Sequence, residues 1–431
     1  MNKARLPSGG EKEGAASRAE PAGAPLRSFA ALRHPGFRGY LLTSAAAMMA
    51  DNIEHVISYW VMFEKFHSPA LAGFAVLSHW LPFLLFAVYF GALADRYDSR
   101  RIIQLAQFLF MAVSIAWALL FLTDTIQMWH AAVLLIVHGM AGVLWSPASQ
   151  LLLHDIVGRE HIVSAVRLNA TSRQLGILLG PAVGGGLMLL LGPAMGLLAN
   201  ALIYLPLVLW LWKAPYGAAR RQSSAPARAT GLADTLAVLR EASGNRTIFS
   251  MILLAGAASL LVGNAFQAQM PEYAHDLGTE KADFSYAVLL AANAAGALTA
   301  GLSLEAKGGL LEPSPRTAIV LVILWCISIA GFAVATSYPI AVALMFVSGF
   351  LFLAYGAMIQ ALIQLEAPPQ LRGRLIGLYY LSNNGLRAFS GITVGVVGAL
   401  IGIHWSLALS ALVLLAVTIA LLAFSMRARE R

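Results

Sequence analysis

The amino-acid sequence predicts an all-α membrane protein with twelve transmembrane helices arranged as two pseudo-symmetric six-helix bundles. Three observations predict this fold: long apolar stretches, a one-sided distribution of lysine and arginine, and polar landmarks that repeat at a fixed offset. Of the 431 residues, 59% are hydrophobic and 12% are charged, whereas soluble domains contain roughly 25% charged residues. The composition therefore excludes a soluble or disordered chain, and the single cysteine, Cys326, excludes an internal disulfide framework.

The apolar stretches give the number of spans. A bilayer core about 30 Å thick is crossed by a helix of about 20 apolar residues. Twelve stretches reach that length, and several contain prolines that neighbouring helices can accommodate. The predicted spans are 37–63, 70–94, 102–122, 129–153, 162–191, 194–212, 247–270, 284–304, 317–337, 339–365, 375–400 and 405–425.

The positive charges give the orientation. With both termini in the cytoplasm, the inside regions hold 24 of the 29 lysine and arginine residues, the outside loops hold two, and three lie within spans. This is the positive-inside pattern of a protein with an even number of spans. The net charge of +8 is thus explained by loops that face anionic lipid, and not by nucleic-acid binding.

An offset of 210 residues brings the two halves of the chain into register. It places Gly91 on Gly301, and acidic Asp95 on acidic Glu305. Two six-span halves in parallel repeat are typical of transporters with a substrate site between the halves near the midplane. The predicted regions are a disordered cytoplasmic tail (1–34, without a signal peptide), an N-terminal bundle (35–213), a cytoplasmic linker (214–245), a C-terminal bundle (246–426) and a cytoplasmic C-terminus (427–431).

The loop after the second span contains a dense motif, Gly-Ala-Leu-Ala-Asp-Arg-Tyr-Asp-Ser-Arg-Arg, from position 91 to position 101. It resembles the signature of the major facilitator superfamily, with Asp98 where that signature has glycine. The resemblance implies a gating loop in which Asp95 contacts the start of span 11 and an arginine pairs with Asp155 at the end of span 4. The simpler alternative is that the arginines only anchor the loop. The residues assigned to the gating loop are Gly91, Asp95, Arg96, Arg100, Arg101 and Asp155.

The fifth span contains a second motif, Gly-Ile-Leu-Leu-Gly-Pro-Ala-Val-Gly-Gly from position 176 to position 185. It resembles the antiporter motif of drug:proton exporters, and the wider pattern, with Asp51 in span 1, resembles the enterobactin-exporter-like branch of the same superfamily. This resemblance favours export. Small residues four apart also let helices pack closely, which is the alternative explanation. The motif residues are Gly176, Gly180, Pro181, Gly184 and Gly185.

Several ionisable side chains lie within the predicted spans. Each costs roughly 2.5–3.5 kcal/mol at the bilayer centre, so its presence needs a reason. Asp51 lies past the midplane at a depth where it could meet Arg173 of span 5 or Arg387 of span 11. Glu54 and His55 lie nearer the outer mouth, where plain solvation is the favoured explanation. We expect Asp51, Glu54 and His55 as proton-coupling candidates, and a static ion pair between helices is the alternative.

The resemblance also implies that spans 1, 4, 7 and 10 line a central cavity. The polar and aromatic candidates on these spans are His138, Trp145, Gln150, Asn264, Gln267, Tyr355 and Gln360. Such a mixture suits an amphiphilic or weakly polar organic solute. The alternatives are a hydrogen bond between helices for His138 and plain packing for Trp145.

The chain has no phosphate-binding loop, no zinc motif and no nucleophile motif. We therefore expect no enzyme, no cofactor and no metal. The predicted function is secondary active transport by alternating access, with proton-coupled export of a small amphiphilic compound that is drug-like or siderophore-like. A lipid or lysophospholipid flippase, an importer of the same fold, and a non-transporting scaffold or sensor remain alternatives. The expected partners are the substrate, the proton and the lipid bilayer of a bacterial inner membrane, with the protein as a monomer and no nucleic acid.

Overall fold

The computed structural model describes residues 28–66, 69–217, 231–263, 270–277, 282–306, 311–390, 394 and 397–427. These residues are almost entirely helical and contain no strand. Eight of the described helices are long and apolar enough to cross a membrane. The structure thus supports a multi-pass helical membrane protein, and the count of twelve spans stays a prediction.

The first half of the chain begins with a short 3-10 turn and five helices. They are η1 (Ala30–Arg33), α1 (Pro35–Phe66), α2 (Pro69–Arg96), α3 (Ser99–Leu122), α4 (Met128–Val157) and α5 (Ile162–Lys213). Helix α5 contains the two predicted spans 162–191 and 194–212, which meet at Gly192. The φ angle of Gly192 is 77°, a backbone conformation that glycine adopts readily. The chain turns back there, so that Gly196 faces Leu187.

The second half has shorter and more broken elements. They are α6 (Gly231–Gly244), α7 (Arg246–Leu261), α8 (Met270–Asp276), α9 (Ala282–Glu305), α10 (Pro315–Ala333), α11 (Tyr338–Glu366), α12 (Arg372–Tyr380), a π-helical turn (Leu381–Gly385), a 3-10 turn (Leu386–Phe389), α13 (Val397–Ile401) and α14 (Ile403–Arg427). Helix α6 lies in the predicted linker (214–245).

Two predicted spans are not single helices. The span predicted at 247–270 starts as α7 but its helix ends at Leu261, ahead of Gly263, whose φ is 50°. The span predicted at 375–400 begins as α12 and continues through the π-helical and 3-10 turns. The sequence Ser-Asn-Asn-Gly at 382–385 has low helix propensity, which weakens a regular helix at that point.

Side-chain caps fix several helix starts. The Ser314 hydroxyl accepts a hydrogen bond from the Thr317 amide at 3.1 Å, and Pro315 occupies the first turn of α10. The Asn245 side chain accepts from the Ile248 amide in the same way at the start of α7. Each cap satisfies one of the amides that a helix start leaves unpaired.

The helices pack into two groups, and two helix pairs make the most extensive described contacts between them. Within the first group α1 packs along α5, and α3 packs against α4 and α5; within the second, α11 packs against α9 and α10, and α10 against α14. The groups meet where α2 contacts α12 and where α5 contacts α9. We call the end that holds the α2–α3, α4–α5 and α9–α10 connections the basic end, because the predicted cytoplasmic arginines lie there.

Candidate transport site

A cavity lies between the two groups of helices, with an empty volume of about 1160 Å³ that includes its opening to solvent. Its walls come from α5, α9, α10, α11, α12 and the turns that follow α12. The polar and aromatic lining residues are Asn169, Arg173, Gln174, Asn293, Trp325, Ser348, Phe352, Tyr355, Gln360, Tyr379, Tyr380, Asn383, Asn384 and Arg387. Tyr355 and Gln360 therefore lie where the sequence predicts them.

The irregular turns after α12 place Arg387 in this cavity. Gly385 packs directly on the backbone of Leu84 in α2. A Cβ atom added to Gly385 would lie only 2.6 Å from the Leu84 Cα. Two residues further on, the Arg387 guanidinium lies over the ring of Trp80, 4.9 Å from its centroid. Short π-helical segments are frequent at functional sites. The Ser-Asn-Asn-Gly sequence is the one signal that could have predicted this break.

A layer of amides closes the cavity toward the basic end. The Gln364 side-chain amide donates to the side-chain oxygen Oε1 of Gln150 at 2.8 Å, and this bond joins α11 to α4. The Tyr380 hydroxyl accepts from Gln150 at 3.3 Å and from Gln360 at 3.4 Å. Gln150 is almost fully buried. It thus seals the bottom of the cavity, and does not line it as the sequence analysis expected.

Asp95 joins the two groups at the basic end. Its carboxylate accepts hydrogen bonds from the backbone amides of Gly373 at 2.7 Å and Arg374 at 3.1 Å, in the first turn of α12. A carboxylate there is stabilised by unpaired amides and by the helix dipole. Gly91, one turn earlier in α2, lies directly against the Gly373 carbonyl. This is the contact that the signature resemblance implies for Asp95.

The arginines of the same loop are held within the first half. Arg100 binds the Asp98 carboxylate at 2.6 Å and donates to the Ala214 carbonyl. Asp98 raises the pKa of Arg100, and Asp155 adds to that effect at longer range. Arg101 donates to Gln104 at 2.9 Å, and Arg96 lies over the Tyr97 ring. Asp98, the departure from the signature, is therefore the residue that Arg100 binds directly.

A cluster of acids and histidines is buried in the first half; we call Asp51, Glu54, His55, His79 and His138 the acid–histidine cluster. One imidazole nitrogen of His138 lies 2.9 Å from the Asp51 carboxylate and the other lies 2.7 Å from the Glu54 carboxylate. His55 lies 3.9 Å from Asp51. The rings of His55 and His79 pack edge to face, with centroids 5.0 Å apart.

Three sequence expectations are corrected here. Among the described residues, Asp51 and Glu54 are paired with His138, and not with the arginines at 173 or 387. Glu54 is not solvated: its side chain is 2% exposed. His138 lies outside the cavity lining and bridges the two acids. The sequence analysis missed His79, whose Nδ1 is buried without a hydrogen-bond partner among the described residues.

A hydrogen-bond chain extends the cluster across four helices. The Ser114 hydroxyl of α3 donates to the Glu54 carboxylate, and Asn200 of α5 donates to Ser114 at 3.2 Å. Helices α1, α3, α4 and α5 thus each contribute a polar group to one buried network. Such networks are strongly coupled, because each member depends on the protonation of its neighbours.

The three imidazoles also raise the possibility of a metal site. One nitrogen from each of His55, His79 and His138 lies within 4.8 Å of the others. Imidazole nitrogens are common transition-metal ligands. Both nitrogens of His138, however, already face carboxylate oxygens at hydrogen-bonding distance. The expectation of no metal stays a prediction.

The glycines of the second motif pack α5 against α1. A Cβ on Gly176 would lie 3.0 Å from Met48, and one on Gly184 would lie 3.2 Å from Ile53. Gly180 lies directly on Asn52, one residue from Asp51, whereas Gly185 faces open space. Pro181 is exposed. The motif thus brings α5 close to the segment of α1 that holds the cluster, and its link to antiport stays a prediction.

The remaining predicted cavity residues divide into two groups. Trp145 is buried against Phe110, with ring centroids 6.1 Å apart, and lies outside the cavity lining, as the packing alternative expects. Asn264 and Gln267, which were predicted to line the cavity, lie outside the described residues.

This architecture defines the class of the protein. Two helix groups with a cavity between them, and the Asp95 contact across them, are the arrangement of the major facilitator transporters, which are not enzymes. A family model described as "transmembrane secretion effector" matches residues 26–431. The chain therefore belongs to the transmembrane secretion effector family of the major facilitator superfamily.

The individual matches are distant. The staphyloferrin A transporter of Staphylococcus aureus is 23% identical over 190 residues, which cover 42% of this chain and 48% of that relative. The chain thus spans about half the length of the curated relative it matches. Among solved structures, the human organic anion transporter MFSD10 superposes with a TM-score of 0.69 at 16% identity, over 90% of this chain and 100% of that chain.

Two bacterial structures show the same fold. The E. coli fucose:proton symporter FucP has a TM-score of 0.71 at 13% identity, over 92% of this chain and 99% of that chain. A bacterial homologue of the iron transporter ferroportin has a TM-score of 0.67 at 16% identity, over 90% of this chain and 99% of that chain. At these identities the comparisons establish the fold and leave the substrate open.

Proposed function

We propose that the protein exports a small amphiphilic organic compound by alternating access and that proton uptake by the acid–histidine cluster drives this transport. The observation that supports the proposal best is the pair of buried carboxylates, Asp51 and Glu54, on either side of His138. Within a membrane, buried ionisable groups are expensive to maintain and mark proton or ion pathways.

The charge of the cluster favours proton exchange. Two carboxylates face one central imidazole, so one negative charge remains in excess when only His138 is protonated. The bilayer core penalises uncompensated charge, and one further proton on an acid or on His55 would neutralise the cluster. A conformational change that alters access to water would change that penalty. The cluster can therefore gain a proton in one conformation and lose it in the other.

A chain of ring contacts connects the cluster to the cavity. His79 packs edge to face on Trp80, with centroids 4.5 Å apart, and Trp80 lies under the guanidinium of Arg387. Trp80 belongs to α2, and Arg387 belongs to the second half. A change of charge at the cluster would thus alter a contact between the halves, as coupled transport requires.

The orientation proposed is the one that the positive charges predict, with the basic end and both termini in the cytoplasm of a bacterial inner membrane. The described contacts of Asp95 and Gln150 then close the cavity toward the cytoplasm. This corresponds to a conformation in which substrate exchanges with the outside and protons enter from there.

Export is supported by the family description, by the antiporter-like motif at 176–185 and by the relative's name, a staphyloferrin A transporter. The name of the human organic anion transporter agrees with an organic substrate. An importer of the same fold is distinguished by the direction of flux, and a lipid flippase by labelled lipid movement. A scaffold or sensor would give no flux at all.

Proton coupling can be tested in proteoliposomes that contain a pH-sensitive dye. Small amphiphilic organic compounds are added one at a time under an imposed pH gradient, and proton movement is followed. We expect Glu54→Gln and Asp51→Asn to reduce compound-induced proton flux at least about tenfold, because an amide has no acidic proton to release.

Asp124→Asn is the matched control, since Asp124 is an acid whose side chain is 89% exposed and pairs with Lys65. It should keep the flux of the unmodified protein. Flux that is unchanged in both cluster variants would remove the cluster from the coupling mechanism, and compound transport without any proton movement would exclude coupling altogether.

A further inference from the structure

The central cavity holds two arginines and no acid. Arg173 of α5 and Arg387 of the 3-10 turn after α12 both line it, and its described lining contains no aspartate, glutamate or lysine. Neither arginine forms an ion pair with a carboxylate of the described residues. The two positive charges also act on each other electrostatically. The described lining thus carries positive charge in addition to the polar and aromatic residues expected there.

An arginine in this position is expensive unless something compensates it. A charge near the bilayer centre is expensive to maintain, and a second like charge nearby adds to that cost. Another buried arginine of the described residues has partners. Arg167 donates to the Leu304 carbonyl at 2.9 Å and lies 3.8 Å from the Glu305 carboxylate. Among the described residues no carboxylate pairs with Arg173 or Arg387, and this points to a partner from outside the chain.

The described contacts of the two guanidinium groups are with a ring and a hydroxyl, and not with a carboxylate. Trp80 covers one face of Arg387, and the Arg387 Nε is buried without a hydrogen-bond acceptor among the described residues. Arg173 lies beside the Tyr380 hydroxyl, which also accepts from two glutamines. A guanidinium group binds a carboxylate through two parallel hydrogen bonds, and this geometry is specific to arginine.

Three aromatic side chains line the same cavity. Trp325, Phe352 and Tyr355 form a group of rings with centroids 5.2 to 5.9 Å apart. The Trp325 nitrogen is satisfied by the Ser348 hydroxyl at 3.1 Å, so it needs no partner from a bound compound. The cavity lining thus combines two guanidinium groups with aromatic rings.

We propose that the transported compound is an organic carboxylate, whose anionic group is bound jointly by Arg173 and Arg387 while its apolar body lies against Trp325, Phe352 and Tyr355. This inference rests on the proposed transport function for the role of the cavity, but the binding itself does not require flux or proton coupling.

The origin of the two arginines gives the anion a second role. Arg173 belongs to the first half and Arg387 to the second. A carboxylate bound to both would replace the repulsion between them with attraction and draw the halves together around the substrate. Binding would therefore favour the occluded state, because a ligand shifts a conformational equilibrium toward the state in which it makes more contacts.

Binding can be measured on the purified full-length protein in detergent by isothermal titration calorimetry. The probes are 1-naphthoate and citrate, with neutral 1-naphthamide as the partner of 1-naphthoate, since it has the same ring system without the charge. We expect at least one carboxylate to bind, and 1-naphthamide to bind at least about tenfold more weakly than 1-naphthoate, as expected for the loss of a charge-assisted hydrogen bond.

The variants Arg173→Gln and Arg387→Gln should each weaken carboxylate binding at least about tenfold. Arg173→Lys and Arg387→Lys should fall between these and the native protein, because lysine keeps the charge and loses the paired donors. Arg159→Gln is the matched control, because Arg159 is exposed in the α4–α5 loop.

The comparison of 1-naphthoate with 1-naphthamide uses the native protein, so it holds even if a variant fails to fold. Equal binding of these two probes, no binding of either carboxylate, or undiminished binding in both glutamine variants would overturn the assignment. A protein that binds carboxylates through these arginines but shows no proton movement would keep this inference and lose the coupling proposal.

Discussion

Two contacts between the halves lie at the basic end, and different chemical groups form them. Where α2 meets α12, the Asp95 carboxylate binds two backbone amides, and Gly91 lies against the Gly373 carbonyl. Where α9 meets α5, the Glu305 carboxylate accepts from the Ser164 hydroxyl at 2.7 Å, and Arg167 lies 3.8 Å from it. We call these the α2–α12 contact and the α9–α5 contact.

The 210-residue offset shows that the two contacts are equivalent positions of the repeat. Asp95 corresponds to Glu305, and Arg374, whose amide Asp95 binds, corresponds to Ser164. The α2–α12 contact consists of backbone groups and of glycines that let the two helices approach closely. The α9–α5 contact consists of side chains that can rearrange. Equivalent positions of the repeat can thus be joined either by fixed backbone groups or by movable side chains. We expect the backbone contact to tolerate substitutions less well.

The largest effect is expected for Gly91→Ala. The new methyl group would meet the Gly373 carbonyl and would lie 3.2 Å from the Gly377 Cα. Overpacking of this kind costs typically about 1–3 kcal/mol, and backbone atoms cannot move away as a side chain can. We expect a corresponding shift of the population away from the closed basic end.

This shift can be measured by double electron–electron resonance between two spin labels. The labels are attached at Arg159→Cys and Glu366→Cys in a Cys326→Ser background. Gly142→Ala is the matched control, because its nearest neighbour, Phe83, lies at an ordinary 3.8 Å. An unchanged label distance in Gly91→Ala would contradict the view that backbone approach holds this contact.

The second largest effect is expected for Asp95→Asn. The amide keeps one acceptor oxygen, but it loses the second acceptor and the negative charge at the start of α12. Hydrogen bonds to charged groups contribute roughly 1.5–3 kcal/mol. The same label pair should show partial opening, and the exposed-acid variant Asp124→Asn should show none. A closed fraction equal to that of the native protein would mean that the carboxylate is not required.

A smaller effect is expected for Glu305→Gln in the α9–α5 contact. The amide oxygen can still accept from Ser164, and Arg167 keeps its hydrogen bonds to backbone carbonyls. What is lost is the attraction between Glu305 and Arg167 at 3.8 Å, beyond hydrogen-bonding distance. We expect a smaller opening than for Asp95→Asn, measured by the same distance distribution, because Arg167 keeps its carbonyl acceptors when the carboxylate is neutralised. Opening as large as that of Asp95→Asn would show that the two contacts are not different in kind.

The smallest effect is a pH dependence confined to the α9–α5 contact. His34 and His161 lie beside this contact with ring nitrogens 3.0 Å apart. Burial, and then the charge of His161, lowers the pKa of His34. A histidine with a lowered pKa stabilises the folded state above its ordinary pKa, and this stabilisation is lost as the pH falls, because the unfolded chain takes up the proton more readily.

Hydrogen exchange of η1 and of the first turn of α5 should therefore be faster at about pH 5.5 than at about pH 7.5, after correction for intrinsic exchange. The first turn of α12, which the α2–α12 contact holds through backbone groups, should not change. His34→Gln should abolish the difference. An equal response of both contacts to pH would remove this distinction between them.

Much of the site was predictable at the level of helices and much less at the level of side chains. The depth of Asp51 in α1 follows from its distance to the end of the span, and the Asp95 contact follows from the signature resemblance. The partner of Asp51 does not follow from the sequence, because an arginine and a histidine at the same depth could each pair with a carboxylate. Only the rotation of α4 shows that His138 faces both acids.

Arg387 illustrates the same limit. The prediction assumed an unbroken helix in the eleventh span, and the π-helical and 3-10 turns change the direction in which Arg387 points. His79 was missed because a single histidine in an apolar span has no periodic pattern around it. Its place in the acid–histidine cluster depends on how α2 packs beside α1 and α4.

The sequence by itself determined the membrane location of the helices, the repeat of the two halves and the acid at each contact of the basic end, because hydropathy, charge and offset are properties of the chain that need no neighbour. The tertiary structure alone decided that two acids share one histidine and that two arginines face an acid-free cavity. Those pairings depend on helix rotation and on close glycine packing, since a hydrogen bond needs positions fixed to within a fraction of an ångström and a pattern of residues fixes only a face.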